Sequence, residues 1–124
     1  MKTNNRSSED YLEAILLLSR ELEFVHRIDI ARRMGVSQPA VQKAIKILIE
    51  GGYITTDGMH IYLTERGSGY AEAVYNRHCV IREFLLLHGV NAADAEHDAC
   101  EMEHIVSDAT FSMMEEYTSK HQGD

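Results

Sequence analysis

Proline occurs once in this sequence, at Pro39, so nothing in the composition prevents long helices. No apolar run approaches the roughly 18 residues that cross a bilayer. The apolar stretch at residues 14–18 is too short for a signal peptide and follows acids, where a signal peptide carries bases. Only two cysteines are present, Cys79 and Cys100, too few for a disulfide framework. These absences together point to a cytoplasmic chain with no membrane association, in which a thiol serves better as a metal ligand than as a crosslink. There is no internal repeat and no low-complexity tract.

What is present is an ordinary supply of core residues, 44% of 124. That suits one compact domain, or a small module fused to a second that shares its core. The net charge of −8 is unevenly spread. Residues 1–66 carry nine bases and nine acids and cancel. Residues 67–124 carry three bases against eleven acids and hold the whole excess. Between His26 and Lys46 the balance reverses: Arg27, Arg32, Arg33, Lys43 and Lys46 face one acid, Asp29. A local basic stripe binds phosphates despite a negative total, and the acidic half is suited to cations.

The periodicity predicts a mainly α fold: an N-terminal winged helix-turn-helix over 1–66, then an all-helical dimerisation domain over 67–124. Ser8 is the expected N-cap of a first helix over 9–21, whose apolar set is Tyr11, Leu12, Ile15, Leu16 and Leu18. A second helix is expected over 27–34, ended by Gly35, and a third from the Ser37 cap to Glu50. Two β-rich runs around Asp57-Gly58 predict a hairpin. Residues 64–69 read as a linker into a fourth helix over 70–88, followed by a fifth over 92–107 capped by Asn91 and a sixth over 108–118.

Residues 28–41 have the pattern of a helix-turn-helix. Ala31 is small at the helix crossing, Gly35 makes the turn, Val36 plugs the gap, and Val41, Ala44 and Ile45 pack the recognition helix. The hairpin adds a wing. Arg27, Ser37, Gln38, Pro39, Gln42, Lys43 and Lys46 are the expected contacts with double-stranded operator DNA. Gln38 and Gln42 are the expected base readers, because an amide pairs bidentately with adenine. A helical hairpin with a merely solvated basic face explains less, since turn, cap, wing and charge all agree.

Cys100, Glu103 and His104 fall at i, i+3 and i+4, a spacing that places three side chains on one helix face. Thiolate, carboxylate and imidazole together suit borderline first-row metals. Glu96 and His97 lie one turn earlier. Taken singly, Cys100 reads as a small buried hydrophobe, His104 as a surface residue, His78 as a structural histidine, and Asp10 with Glu13 as a solvated helix face.

The motif Glu9-Asp10-Tyr11-Leu12-Glu13, the helix-turn-helix, the wing, Arg77-His78 and Cys100-x-x-Glu103-His104-x-x-Ser107 occur in one order. In this they resemble the diphtheria toxin repressor and manganese transport regulator family of metal-activated repressors, over residues 7–118. The resemblance implies a metal set of Asp10, Glu13, His78, Cys100, Glu103 and His104. Asp10 and Glu13 match the manganese type and Cys100 the iron type, so the implied effector is Fe(II) or Mn(II), with Co(II), Ni(II) or Zn(II) as substitutes in vitro. Two departures stand out within the metal set. Arg82 replaces an acid one turn after the histidine, which either weakens or vacates a second metal position or supplies a cation of its own. Glu96 replaces an iron-type histidine, with His97 one residue out of register, so no ligand is carried over there. The iron-type C-terminal domain has no counterpart before Asp124.

The implied activity is that of a repressor, not an enzyme. A metal that takes ligands from the first helix of the DNA-binding unit and from helices four and five of the dimerisation unit joins those two units, and in the homodimer this sets the spacing of the recognition helices near one DNA turn, about 34 Å. Metal and DNA then strengthen each other's binding reciprocally, by about 1–3 kcal/mol. Two other readings compete. One is a winged-helix repressor answering to an organic ligand or to oxidation of Cys79 or Cys100. The other is a small metal-dependent hydrolase, which would need an open coordination position and a substrate cleft.

Overall fold

A computed structural model describes residues 6–122. The element order is α1 (Arg6–Glu21), α2 (Arg27–Met34), α3 (Gln38–Glu50), β1 (Ile54–Asp57), β2 (His60–Leu63), α4 (Glu65–Leu87), α5 (Ala92–Met102) and α6 (Asp108–His121). The chain divides into two compact units between Ala73 and Val74, inside α4.

In the first unit, α1 buries Tyr11, Leu12, Ile15, Leu16 and Leu18, the set its periodicity marks out. They meet Ile30 of α2, Val41, Ile45 and Leu48 of α3, and Ile61 of β2, all essentially solvent-free. The turn between α2 and α3 follows the sequence reading. Gly35 adopts φ 67°, the left-handed conformation that ends a helix at least cost to glycine, and its N–H bonds the Ala31 carbonyl. Ser37 accepts from the Ala40 N–H and Pro39 sits in the first turn of α3. The hairpin is antiparallel, from Ile54 opposite Leu63 to Asp57 opposite His60, and Val25 adds a bridge to Ile61.

Two starts differ from expectation. α1 begins at Arg6, so Ser8 is a buried helical residue rather than its cap. α4 begins at Glu65, so residues 64–69 are not a linker. Thr64 explains this. Its hydroxyl accepts from the Gly67 N–H at 3.0 Å and donates to the Gly52 carbonyl at 2.7 Å, capping the helix and tying it to the turn after α3. Gly67 belongs to that arrangement, because a Cβ there would collide with the Tyr53 carbonyl.

In the second unit, Ile81, Ala99 and Met114 form the buried centre, with Val80, Phe84, Leu85, Met102, Val106 and Phe111 packed on it. Asn91 caps α5 by accepting from the Asp94 N–H at 2.9 Å. α5 ends at Met102 and does not run to Ser107. Ser107 instead caps α6, accepting from the Thr110 N–H. Arg77 holds the intervening turn, donating from Nε to the Glu103 carbonyl at 3.1 Å and from Nη2 to the Val106 carbonyl at 2.5 Å. α6 continues three residues past the expected end, to His121.

Candidate metal centre and nucleic-acid interface

On the first unit, Gln38, Pro39, Gln42, Lys43 and Lys46 are exposed along α3, with Ser37 exposed at its N-cap and Arg27 half-buried at the start of α2. The Ser37 hydroxyl is engaged in capping. Arg33 pairs with Glu21 at 2.7 Å, which leaves Arg27, Arg32, Lys43 and Lys46 as the cations of the stripe. Residues 51–64, which include the wing, contain no lysine or arginine. The basic side chains of this unit's stripe therefore lie on α2 and α3 and not on the wing.

On the second unit, His78 of α4 is buried between two carboxylates. Its Nδ1 lies 2.8 Å from Oε1 of Glu103 and its Nε2 lies 3.0 Å from Oε2 of Glu96. The hydrogen bond to Glu103 raises the imidazole pKa above 6.5. Burial opposes it, and the charges of both acids add to the rise. Burial also pushes the Glu96 carboxyl up, but the Arg82 hydrogen bond and the His78 charge outweigh it, so Glu96 lies below its ordinary value. The exposed Cys100 Sγ lies 3.6 Å from Glu96 Oε2 and 3.8 Å from His78 Nδ1. One donor atom each from His78, Glu96 and Cys100 lies within 4.8 Å of the others.

Glu103 tests whether these residues fit an ion. It is 4% exposed, and its Oε2 is buried with no hydrogen-bond partner among the described residues. Such an oxygen costs free energy unless a donor or a cation meets it. A nitrogen, a sulfur and carboxylate oxygens are the donor set that borderline divalent metals take. The residues fit.

Of the expected ligands, His78 gathers Glu103 and Cys100 around itself. Asp10 and Glu13 stand one turn apart on α1, both half-buried, in the first unit. α5 ends at Met102, so of Cys100, Glu103 and His104 only Cys100 lies within the helix; Glu103 is its C-cap and His104 follows in the turn. Glu96 is the residue that sequence reasoning set aside. The signal for it was the i, i+4 spacing to Cys100 on one helix.

Sequence profiles of known families match both parts of the chain. The iron dependent repressor N-terminal DNA binding domain matches residues 5–60, and the iron dependent repressor metal binding and dimerisation domain matches residues 64–124. The chain is 39% identical to the transcriptional regulator MntR of Escherichia coli O6:H1 over 114 residues, covering 91% of this chain and 74% of that protein. It is 37% identical to MntR of Salmonella typhimurium over 114 residues, covering 91% and 73%. Among solved structures, the manganese regulator SloR superposes with a TM-score of 0.79 at 32% identity, over 90% of this chain and 53% of that one. A manganese-dependent transcriptional repressor in complex with manganese superposes with a TM-score of 0.81 at 28% identity, over 94% and 55%. The chain thus spans about half the length of these structural neighbours. No helix among the described residues is long and apolar enough to cross a membrane.

Proposed function

The chain belongs to the family of iron-dependent repressors, metal-dependent transcriptional regulators, and from that premise we propose that it acts in the cytoplasm as a homodimer that binds double-stranded operator DNA when Fe(II) or Mn(II) is bound. The observation that carries this reading is the buried Glu103 carboxylate, one oxygen on His78 and the other unmet among the described residues.

His78, Cys100, Glu103 and His104 supply imidazole, thiolate and carboxylate, and the resemblance adds Asp10 and Glu13 from α1. When bound, the metal supplies positive charge and fixed coordination geometry, with no bond-breaking chemistry. An ion drawing ligands from both α1 and the α4–α5 region would reduce the freedom of the DNA-binding unit and so favour the dimer geometry that operator DNA selects. It would also neutralise acid in a half that carries all of the net −8. The manganese regulators among the structural neighbours favour Mn(II), whereas the Cys100 thiolate favours a softer ion such as Fe(II). On α2 and α3, Arg27, Ser37, Gln38, Pro39, Gln42, Lys43 and Lys46 form the DNA face.

The test is a titration of anaerobic apo-protein with Fe(II), Mn(II), Co(II) and Zn(II), read out by binding to an operator selected from random duplexes. His104→Ala and Glu103→Ala should lose the metal response. Equal operator binding in chelator and in every metal would overturn the reading.

A further inference from the structure

The group formed by His78, Glu96 and Cys100 has the donor types and the spacing to hold an ion of its own. It also has a resident cation. Arg82 lies one turn after His78 on α4, and its Nη1 donates to Glu96 Oε1 at 3.0 Å. Its Nη2 contacts the Cys79 Sγ at 3.9 Å. Glu96 is therefore shared, with Oε1 on the guanidinium and Oε2 on His78.

A guanidinium does not lose its proton in proteins. A divalent ion on Glu96 would have to share that carboxylate with a permanent like charge, or evict it from both of its contacts. The repulsion is substantial where the pair is partly withdrawn from water. Glu103 is placed differently. Among the described residues its carboxylate has no lysine or arginine partner, and Arg77 touches this residue only through the backbone carbonyl. The two acids flanking His78 are thus unequal: one already neutralised by arginine, the other holding a buried, unmet oxygen.

We propose that Arg82 is a built-in substitute for a metal ion. Its guanidinium occupies Glu96, the His78–Glu96–Cys100 group takes no ion of its own, and the chain binds one metal per protomer, at Glu103. The proposal rests on the metal-dependent reading above and deepens it by setting the number of ions. Arg82 acts on the electrostatics of its neighbours and is not itself a ligand.

The experiment counts ions. Apo full-length chain, reduced and anaerobic, is titrated with Mn(II) by calorimetry, and bound metal is measured by elemental analysis after desalting. Wild type should take one ion per protomer. Arg82→Glu, which exchanges the cation for a carboxylate, should take two. Arg82→Gln, which removes only the charge, should show a second and weaker equivalent. Arg82→Lys should stay at one, and adding Glu96→Gln to Arg82→Glu should return the count to one. Circular dichroism establishes that each variant is folded. Two ions in wild type, or one ion in both folded Arg82→Glu and Arg82→Gln, would overturn the proposal. No ion in wild type would overturn the metal-dependent reading itself, an outcome separate from either of these.

Discussion

Arg27 donates from Nε to the Oε1 of Gln42 at 2.6 Å, tying the first residue of α2 to the exposed face of α3. Bidentate pairing with adenine asks the amide to accept through its oxygen and donate through its nitrogen. Arg27 takes up one of the two lone pairs of the oxygen, and the NH2 keeps its donors. That shifts the balance of the amide towards base acceptors such as guanine O6 and N7 or thymine O4. The two residues should act on DNA as a unit. Arg27→Ala and Gln42→Ala should be non-additive in a double-mutant cycle, with a coupling of about 0.5–3 kcal/mol. Fluorescence anisotropy on the selected operator measures this, and additivity would remove the link.

The Tyr53 carbonyl leaves no space for a side chain at Gly67, whereas a Cβ at Gly69 meets nothing within 4 Å. Both positions are helical. Alanine at Gly69 should be neutral or should stabilise by about 0.5–1 kcal/mol through the lower entropy of the unfolded chain. Alanine at Gly67 should destabilise by about 1–3 kcal/mol through forced displacement. Thermal melts of the two variants side by side decide this, and equal melting temperatures would contradict the packing.

These glycines also mark where the sequence was legible and where it was not. Gly35, Ser37 and Asn91 act through their immediate neighbours, so a turn and two caps could be read from a few adjacent residues. Thr64 caps α4 while donating to Gly52, and Gly67 answers to Tyr53, partners that lie 12 and 14 residues away in sequence; locally, two glycines in six residues look like a linker. The end of α5 was missed for the same reason, since Arg77 holds that turn from 26 and 29 residues away. In the candidate site, the i, i+4 spacing that puts Glu96 and Cys100 together on α5 was legible, whereas the helix end that leaves Glu103 and His104 beyond it was not. The partnership of Glu96 with Arg82 was not, because it joins α4 to α5 through their packing.

The imidazole of His78, held between Glu103 and Glu96, has a folded-state pKa above 6.5. Such a group contributes stability that is fully present below the unfolded value and is lost as pH rises through the folded one. The apo-protein should therefore lose this contribution above pH 6.5, and His78→Gln should show a flatter dependence over the same window. Bound Mn(II) competes with that proton, so the stabilisation it gives should grow with pH. Scanning fluorimetry across the window, with chelator and with Mn(II), reads both effects. An identical pH slope in wild type and His78→Gln would refute the assignment.

Cys100 is exposed and its sulfur lies within contact distance of both His78 and Glu96. Replacing thiolate by carboxylate removes the softest donor from the set. Cys100→Glu should shift preference towards Mn(II), lowering the Fe(II)-to-Mn(II) affinity ratio by about tenfold or more, equivalent to about 1.4 kcal/mol. Competition titrations of the two ions under anaerobic conditions measure the ratio. An unchanged ratio would mean that the sulfur does not touch the metal.

Three large apolar side chains of the second unit remain open to solvent: Ile105 at 75%, Met113 at 51% and Leu86 at 37%. Ile105 is the most exposed of them, in the turn between α5 and α6. The internal core does not need it, because Ile81, Ala99 and Met114 already fill that role. An apolar residue left this open is suited to burial against a second copy, where a two-fold contact would cover the same residue on both chains. Ile105→Asp places a charge in that contact and should shift the mass measured by light scattering at micromolar concentration from dimer to monomer. The core stays intact, so the melting temperature of the protomer and its metal content should hold. Operator affinity should fall by at least a hundredfold, since two half-sites are no longer bound together. A wild-type chain that is monomeric with metal bound would exclude the homodimer. A dimeric Ile105→Asp with full operator affinity would move the contact to another face.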